Sequence, residues 1–157
     1  MTNDDRYRRG VGVMLLNSEG KVFVGARIDN TDEAWQMPQG GIDKGEIDPW
    51  QTALRELEEE TGIGPRLVKR IARCPERLKY DLPKELRGRL WGGKYNGQDQ
   101  DWYLARFLGT DDDVNIRTSH PEFREWKWIE PAELPELIVP FKRDLYRRLL
   151  GEFSEYL

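Results

Sequence analysis

Four glutamates, Glu56, Glu58, Glu59 and Glu60, crowd the C-terminal end of one predicted helix, and a glycine pair, Gly40-Gly41, stands in the turn ahead of it. Within a helix, Glu56 repels Glu59 at i,i+3 and Glu60 at i,i+4, each at a cost of roughly 0.2–0.5 kcal/mol. No basic residue follows Arg55 inside the cluster to offset that cost. A run of glutamates is most often a solvated helix face. When its members converge, however, they suit a hard cation. Mg²⁺ takes oxygen ligands, keeps several waters, and is commonly completed by phosphate groups of a substrate.

The helix that would position them is well marked. Asp48 is its N-cap and Pro49 its first residue, where the missing N–H is not needed. Gln51 follows three residues after the cap, in capping-box register. Trp50, Ala53, Leu54 and Leu57 fall at i, i+3, i+4 and i+7 and define an apolar stripe. Gly62 supplies a left-handed stop, and Ile63 can fold back on the last turn. At about 100° per residue, Glu56, Glu59 and Glu60 share one arc of roughly 100° beside that stripe, and Glu58 lies on the other side.

Residues 40–63, GGIDKGEIDPWQTALRELEEETGI, resemble the Nudix signature, G-x5-E-x7-R-E-U-x-E-E-x-G-U with U apolar. The second half matches residue for residue from Arg55 to Ile63. The first half gives Gly40 and Glu46, and then departs: eight residues separate Glu46 from Arg55 where the signature has seven. Ile47 reads as the insertion, because Asp48-Pro49 already forms a clean helix start, so the helix carboxylates are expected to be unaffected. Further motifs extend the resemblance over nearly the whole chain: Tyr7-Arg8-Arg9-x-Val11-Gly12, Trp35-Gln36-Met37-Pro38-Gln39-Gly40-Gly41, Gly97-Gln98-x-Gln100-x-Trp102, Pro121-Glu122-Phe123-x-x-Trp126 and Phe141-Lys142-Arg143. This set is similar to the Nudix subgroup of bacterial RNA 5′-pyrophosphohydrolases and asymmetric diadenosine tetraphosphate hydrolases.

The resemblance implies an α/β/α sandwich with a mixed β-sheet between helices, and hydrolysis of a nucleoside 5′-polyphosphate with Mg²⁺, for which Mn²⁺ substitutes. Glu56, Glu59 and Glu60 would hold the metal, with the Gly40 carbonyl as a further ligand because glycine lets backbone approach closely. Glu122, from the Pro-Glu-Phe motif, serves at the same site in the resembled subgroup. Glu56 is the expected base, with Glu122 second. Phosphate recognition needs cations, and Arg8, Arg27, Lys84, Arg87, Arg89 and Lys142 are candidates. Arg27 and Lys142 align with subgroup positions near the nucleotide. Gln39, ahead of the helix, joins the substrate-binding set, Val139 and Phe141 could wall a base, and Tyr80 could offer its hydroxyl to a phosphate.

The chain has 157 residues, enough for a single domain spanning 1–157 with a real core. A formal charge of −4 argues against broad, charge-driven binding to DNA or RNA. One cysteine, Cys74, excludes an internal disulfide and fits a reducing compartment. No apolar run approaches the ~20 residues that span a bilayer, and the first ten residues lack the apolar core of a secretory signal. The expectation is a cytoplasmic protein whose partner is a nucleoside polyphosphate or an RNA 5′ end, not DNA or a membrane.

Strands are predicted over residues 12–16, 21–26, 67–73, 102–108 and 126–129, with a short extended piece at 35–37 before Pro38. Residues 84–100, with four glycines, read as a long mobile loop. Residues 140–153 read as an amphipathic helix with Phe141, Leu145, Leu149 and Tyr146 inward. His120, the sole histidine, cannot build a multi-histidine zinc site. Two functional classes stay open: a Mg²⁺-dependent pyrophosphohydrolase, and a catalytically silent Nudix-like module that binds nucleotides or RNA. A silent module is expected to lose members of R-E-x-x-E-E, and none is lost here. Within the first class, triphosphorylated RNA 5′ ends and dinucleoside polyphosphates both remain, and residues 27–43 resemble the dinucleotide hydrolases as much as the RNA enzymes.

Overall fold

The computed structural model describes residues 6–29 and 34–157; parts of the N-terminal stretch and of the 27–43 stretch read above lie outside the described residues. Among the described residues, seven strands form one mixed sheet. Strand β1 (Tyr7–Leu16) runs parallel to β6 (Gly97–Phe107) over its full length. On its other edge β1 pairs antiparallel with β3 (Gln39–Gly41) near its start and with β2 (Val22–Arg27) at its end. Strand β7 (Phe123–Ile129) extends the sheet beyond β2, while β4 (Val68–Arg73) and β5 (Leu78–Asp81) both pair with β6.

Both faces of β1 are covered, which is why its sequence reads as a continuous apolar run instead of an alternating one. Val11, Val13 and Leu15 pack with Phe23, Tyr103 and Ala105 against Ala53 and Leu57 of helix α1 (Pro49–Thr61). Met14 and Leu16 pack with Trp102 and Leu104 against Leu145, Tyr146 and Leu149 of the C-terminal helix. The Tyr146 hydroxyl accepts the Met37 N–H at 2.8 Å and ties that helix to the segment entering β3. The result is the expected α/β/α sandwich with a mixed sheet.

Helix α1 starts at Pro49 with Asp48 as N-cap, and Gly62 closes it at φ 75° with its N–H on the Glu58 carbonyl. The Asp48 carboxylate accepts the Trp50 N–H at 3.0 Å rather than taking part in a box with Gln51. Thr52, Glu60 and Thr61 are buried along with Ala53 and Leu57, so the buried face is wider than the apolar stripe.

The expected mobile loop at 84–100 is not one. It comprises helix α2 (Lys84–Arg87), a 3₁₀ turn (Leu90–Gly93) and the first residues of β6. Its glycines do not loosen it: Gly92 and Gly93 serve positive φ after Trp91, itself at φ 53°, and Gly97 fits where a Cβ would collide with the Tyr80 backbone. Strand β5, which carries Tyr80, had no apolar alternation long enough to read. Near the end come the short helix α3 (Leu134–Leu137), a 3₁₀ turn (Pro140–Lys142) and helix α4 (Arg143–Glu152), so the predicted helix is three residues shorter at its start. Cys74 is free and buried. Among the described residues no helix is long and apolar enough to cross a membrane.

The extra residue after Glu46 is absorbed in the loop. Ile47 is 95% exposed, and Glu46 still reaches back to Arg55 with two contacts of 2.7 and 2.9 Å. Arg55 also donates to the Gly41 carbonyl at 3.2 Å, fastening α1 to β3. These hydrogen bonds pull the Glu46 carboxyl from 4.5 to about 2, with help from the Asp43 N–H. The folded value lies below the unfolded one, so the pair stabilises the fold above about pH 4.5 and its contribution drains away as the pH falls toward 2. We predict that Glu46→Gln costs about 1 kcal/mol at pH 7 and that the deficit shrinks steadily in urea unfolding at pH 4 and then pH 3. A deficit constant over that range would contradict the ion pair as its cause.

Candidate active site

The site begins with two glycines that let a helix and a strand touch. Gly40 in β3 lies directly beneath Glu56, and a Cβ there would fall inside the Glu56 carboxylate. On the opposite face of β3, Gly41 makes room for the Arg8 guanidinium. The backbone N–H of Gln39 donates to a Glu60 carboxylate oxygen at 3.2 Å. Thus β3 runs between two helix carboxylates and the start of β1.

Glu60 is 2% exposed. Burial raises its carboxyl well above the ordinary range, Glu56 and Glu122 push it further, and Arg27 only partly counters them. Glu56, with its side chain 17% exposed, is pushed up to about 7, chiefly by burial, against the pull of Arg55. Glu122 stands across from Glu60 and meets Arg27 at 3.2 Å. Glu59 is half exposed and turns to Arg55 at 3.0 Å. Glu58 is exposed at the far end of the helix, where its carboxylate lies against Gly64.

The structure therefore brings Glu56 and Glu122 each into electrostatic reach of Glu60, while Glu59 stands with Arg55 at the edge and Glu58 points away. Among the described residues no three such groups are already drawn tight enough to enclose an ion; the cationic groups Arg27 and Arg55 stand between them. The donor set is nevertheless all oxygen and partly desolvated, which fits a hard divalent cation.

The cations assemble beside the carboxylates. Arg27, at the end of β2, is fixed by Asp29 at 2.8 and 2.9 Å, a partner that sequence reasoning missed. Lys142 is 7% exposed, with its ammonium 4.9 Å from the Tyr80 ring centre and 5.8 Å from that of Phe141. Burial, then Arg27, pushes the Lys142 ammonium down to about 8, and Glu60 and Asp29 hold it up. Tyr80 is buried and its phenol raised by that burial, with Arg27 and Arg8 close enough to oppose the shift. Phe141 packs against Tyr80 with ring centres 6.0 Å apart, and half-buried Val139 accepts the Lys142 N–H at 3.0 Å. Arg8 stacks on Trp91 at 5.4 Å. Lys84, Arg87 and Arg89 lie on the 84–93 segment; Arg87 is spent on the Leu82 carbonyl at 2.8 Å.

A row of buried polar side chains also escaped the sequence reading: Gln98 and Gln100, joined to Trp102 and Gln39. The signal was available in the Gly97-Gln98-x-Gln100-x-Trp102 motif, whose period of two puts all three side chains on one face of a strand. A concavity of about 590 Å³ lined by Asn17, Lys21, Phe107, Asp111, Trp126 and Trp128 sits at the other end of β1, remote from these groups.

Residues 6–149 match the family model of the NUDIX domain. The chain is 59% identical over 156 residues to an RNA pyrophosphohydrolase of Erythrobacter litoralis, covering 98% of this chain and 94% of the relative. It is 52% identical over 161 residues to an RNA pyrophosphohydrolase of Dinoroseobacter shibae, covering all of both chains. Among solved structures, the C. elegans Ap4A hydrolase binary complex matches with a TM-score of 0.66 at 24% identity, over 94% of this chain and 98% of that one. The E. coli dihydroneopterin triphosphate pyrophosphohydrolase matches with a TM-score of 0.68 at 20% identity, over 90% and 95%. The last two speak for the fold alone. With its box glutamates complete and the family model spanning nearly its whole length, the chain belongs to the Nudix family.

Proposed function

We propose that this protein is a Mg²⁺-dependent pyrophosphohydrolase, with Mn²⁺ as a substitute, that releases pyrophosphate from triphosphorylated RNA 5′ ends. The observation that carries this reading is the meeting of carboxylates and cations at one place: buried Glu60 with Glu56 and Glu122 beside it, Arg27 3.2 Å from Glu122, and Lys142 within electrostatic reach of Glu60 beside an aromatic wall. The identity to relatives named RNA pyrophosphohydrolase supports RNA as the substrate.

Glu56, Glu59, Glu60, Glu122 and the Gly40 carbonyl would hold the metal, which when bound neutralises phosphate charge and acidifies water. The chain's own residues do the rest. Arg27 and Lys142 bind the phosphates next to the first nucleoside, and Arg8 those further out. Phe141 and Val139 wall the base, and the Tyr80 hydroxyl and Gln39 contact phosphate. Glu56 takes the proton of the attacking water; Glu122 is the second candidate for that role. The water oxygen forms a new bond to phosphorus, the bridging phosphoanhydride bond breaks, and pyrophosphate leaves from a 5′-monophosphate end.

Three outcomes test this reading. Activity is expected with Mg²⁺ or Mn²⁺ and none in excess chelator; full turnover under chelation would remove the metal from the account. Glu56→Gln, Glu59→Gln and Glu60→Gln should each lower kcat by roughly 10² or more, the scale of losing a key electrostatic group, whereas Glu58→Gln stays within a few-fold. Equal sensitivity at Glu58 and Glu60 would contradict the separation of the two faces. Finally, a bound nucleoside that fixes the cleavage position requires diadenosine tetraphosphate, if accepted, to yield ATP and AMP, and Lys142→Ala to raise KM more than it lowers kcat, less so at high salt. Two ADP from the tetraphosphate would refute that placement of the pocket.

A further inference from the structure

A hydrogen-bonded relay lies beneath Gln39, and its other members, Gln98, Gln100 and Trp102, have no part in the chemistry described above. Gly10 and Gly12 of β1 leave a trough on the α4 face of the sheet. A Cβ on Gly12 would come within 2.5 Å of the Trp102 indole, and one on Gly10 within 2.7 Å of the Gln98 amide oxygen. Trp102, Gln98 and Gln100, each no more than 1% exposed, fill that trough. The Trp102 indole N–H donates to Gln100 Oε1 at 2.9 Å. Gln100 Nε2 then donates to Gln39 Oε1 at 2.6 Å and to Gln98 Oε1 at 2.7 Å.

The direction of this relay is forced. An indole nitrogen can only donate, so the Gln100 group facing it must be the carbonyl, and the amide nitrogen must face the other two glutamines. That nitrogen has only protons to offer, so Gln39 and Gln98 must both turn their oxygens inward. Their own amide nitrogens are left pointing away from the relay, and neither makes a hydrogen bond to a described residue. Each has two N–H donors to give. In the sheet register Gln98 lies between Arg8 of β1 and Tyr80 of β5. Gln39 lies where its backbone N–H meets Glu60. Both amides thus border the ground where an anionic chain would run between the carboxylate cluster and the cations.

We infer that Trp102 and Gln100 are positioning residues that lock the Gln39 and Gln98 amides with their N–H groups outward, as neutral donors to the oxygens of a 5′-polyphosphate. The inference rests on the polyphosphate reading of the site. An amide free to rotate would show a phosphate its oxygen half of the time, which repels it. A locked amide recognises phosphate without adding charge, in a site where further cations would compete with the metal for carboxylates.

Trp102→Phe removes the one N–H that sets the polarity while keeping a flat ring in the Gly12 trough. Gln100→Met removes both the acceptor and the donors at similar volume. Each is expected to raise KM for a 5′-triphosphate substrate about 5–10-fold and to change kcat less than about threefold. In the wild type, the side-chain NH₂ signals of Gln39 and Gln98 in ¹H–¹⁵N spectra should shift on addition of adenosine 5′-(α,β-methylene)triphosphate, whose α–β bridge resists hydrolysis, and the shifts should be lost or scattered in Gln100→Met. A purely structural relay would lower melting temperature in the variants but leave these ligand-induced shifts in place. Should Trp102→Phe fail to fold, the wild-type spectra and Gln100→Met carry the test. Wild-type KM in the folded variants, or glutamine signals unmoved by the ligand, would overturn the inference. Ligand-induced shifts in a wild-type protein that hydrolyses no polyphosphate would uphold it and overturn the hydrolase reading instead.

Discussion

The structure turns on one carboxylate taken out of water. Glu60 is buried at the end of α1, with Glu56 beside it and Glu122 facing it. An unpaired charge in that position is among the costliest arrangements a protein can carry, and such groups neutralise or find a partner. Here the partners are incomplete. Arg27 is shared among Asp29, Glu122 and Glu60, and Arg55 among Glu46, Glu56 and Glu59. The fold tolerates the arrangement because its remaining parts are strongly determined: a strand buried on both faces, a helix with a clean cap and stop, and an ion pair that fixes the helix to the sheet.

Glycine is what makes the close approaches possible. At Gly40 and Gly41 the missing side chains let Glu56 and Arg8 lie against opposite faces of the same three-residue strand. At Gly10 and Gly12 they open the trough that Trp102 and the glutamines fill. A single alanine at Gly40 would displace Glu56 from the strand, so the spacing of acidic and basic groups across the site is set by backbone, not by flexible side chains.

Much of this was legible in the sequence because it is local. Asp48-Pro49 at one end of α1 and Gly62 at the other set the register that puts Glu58 opposite Glu56 and Glu60, and the structure keeps that register despite the extra Ile47. What could not be read depends on contacts between distant segments. Glu60 and Glu59 are neighbours in sequence and looked alike, yet one is sealed against Gln39 and the other faces Arg55 and solvent. Tyr80 could be named from its motif, but it sits on a strand too short to show a period, and the Lys142 ammonium over its ring, from sixty-two positions later, could not be read. The 84–100 segment looked like a loop from its glycines; several of them serve tight turns and close strand contacts. The glutamine relay was visible as a motif, but its direction follows only from the indole N–H that starts it.

The central claim is that Glu60 is destabilising in the folded protein until a divalent cation joins it. Melting temperatures of the wild type and of Glu60→Gln, each with chelator and with saturating Mn²⁺, test this most directly. The account predicts that, under chelation at neutral pH, Glu60→Gln melts as high as the wild type or higher, that Mn²⁺ raises the wild-type melting temperature by several degrees, and that most of this gain is lost in the variant. A chelated Glu60→Gln that melts well below the wild type, together with equal Mn²⁺ gains in both proteins, would contradict it.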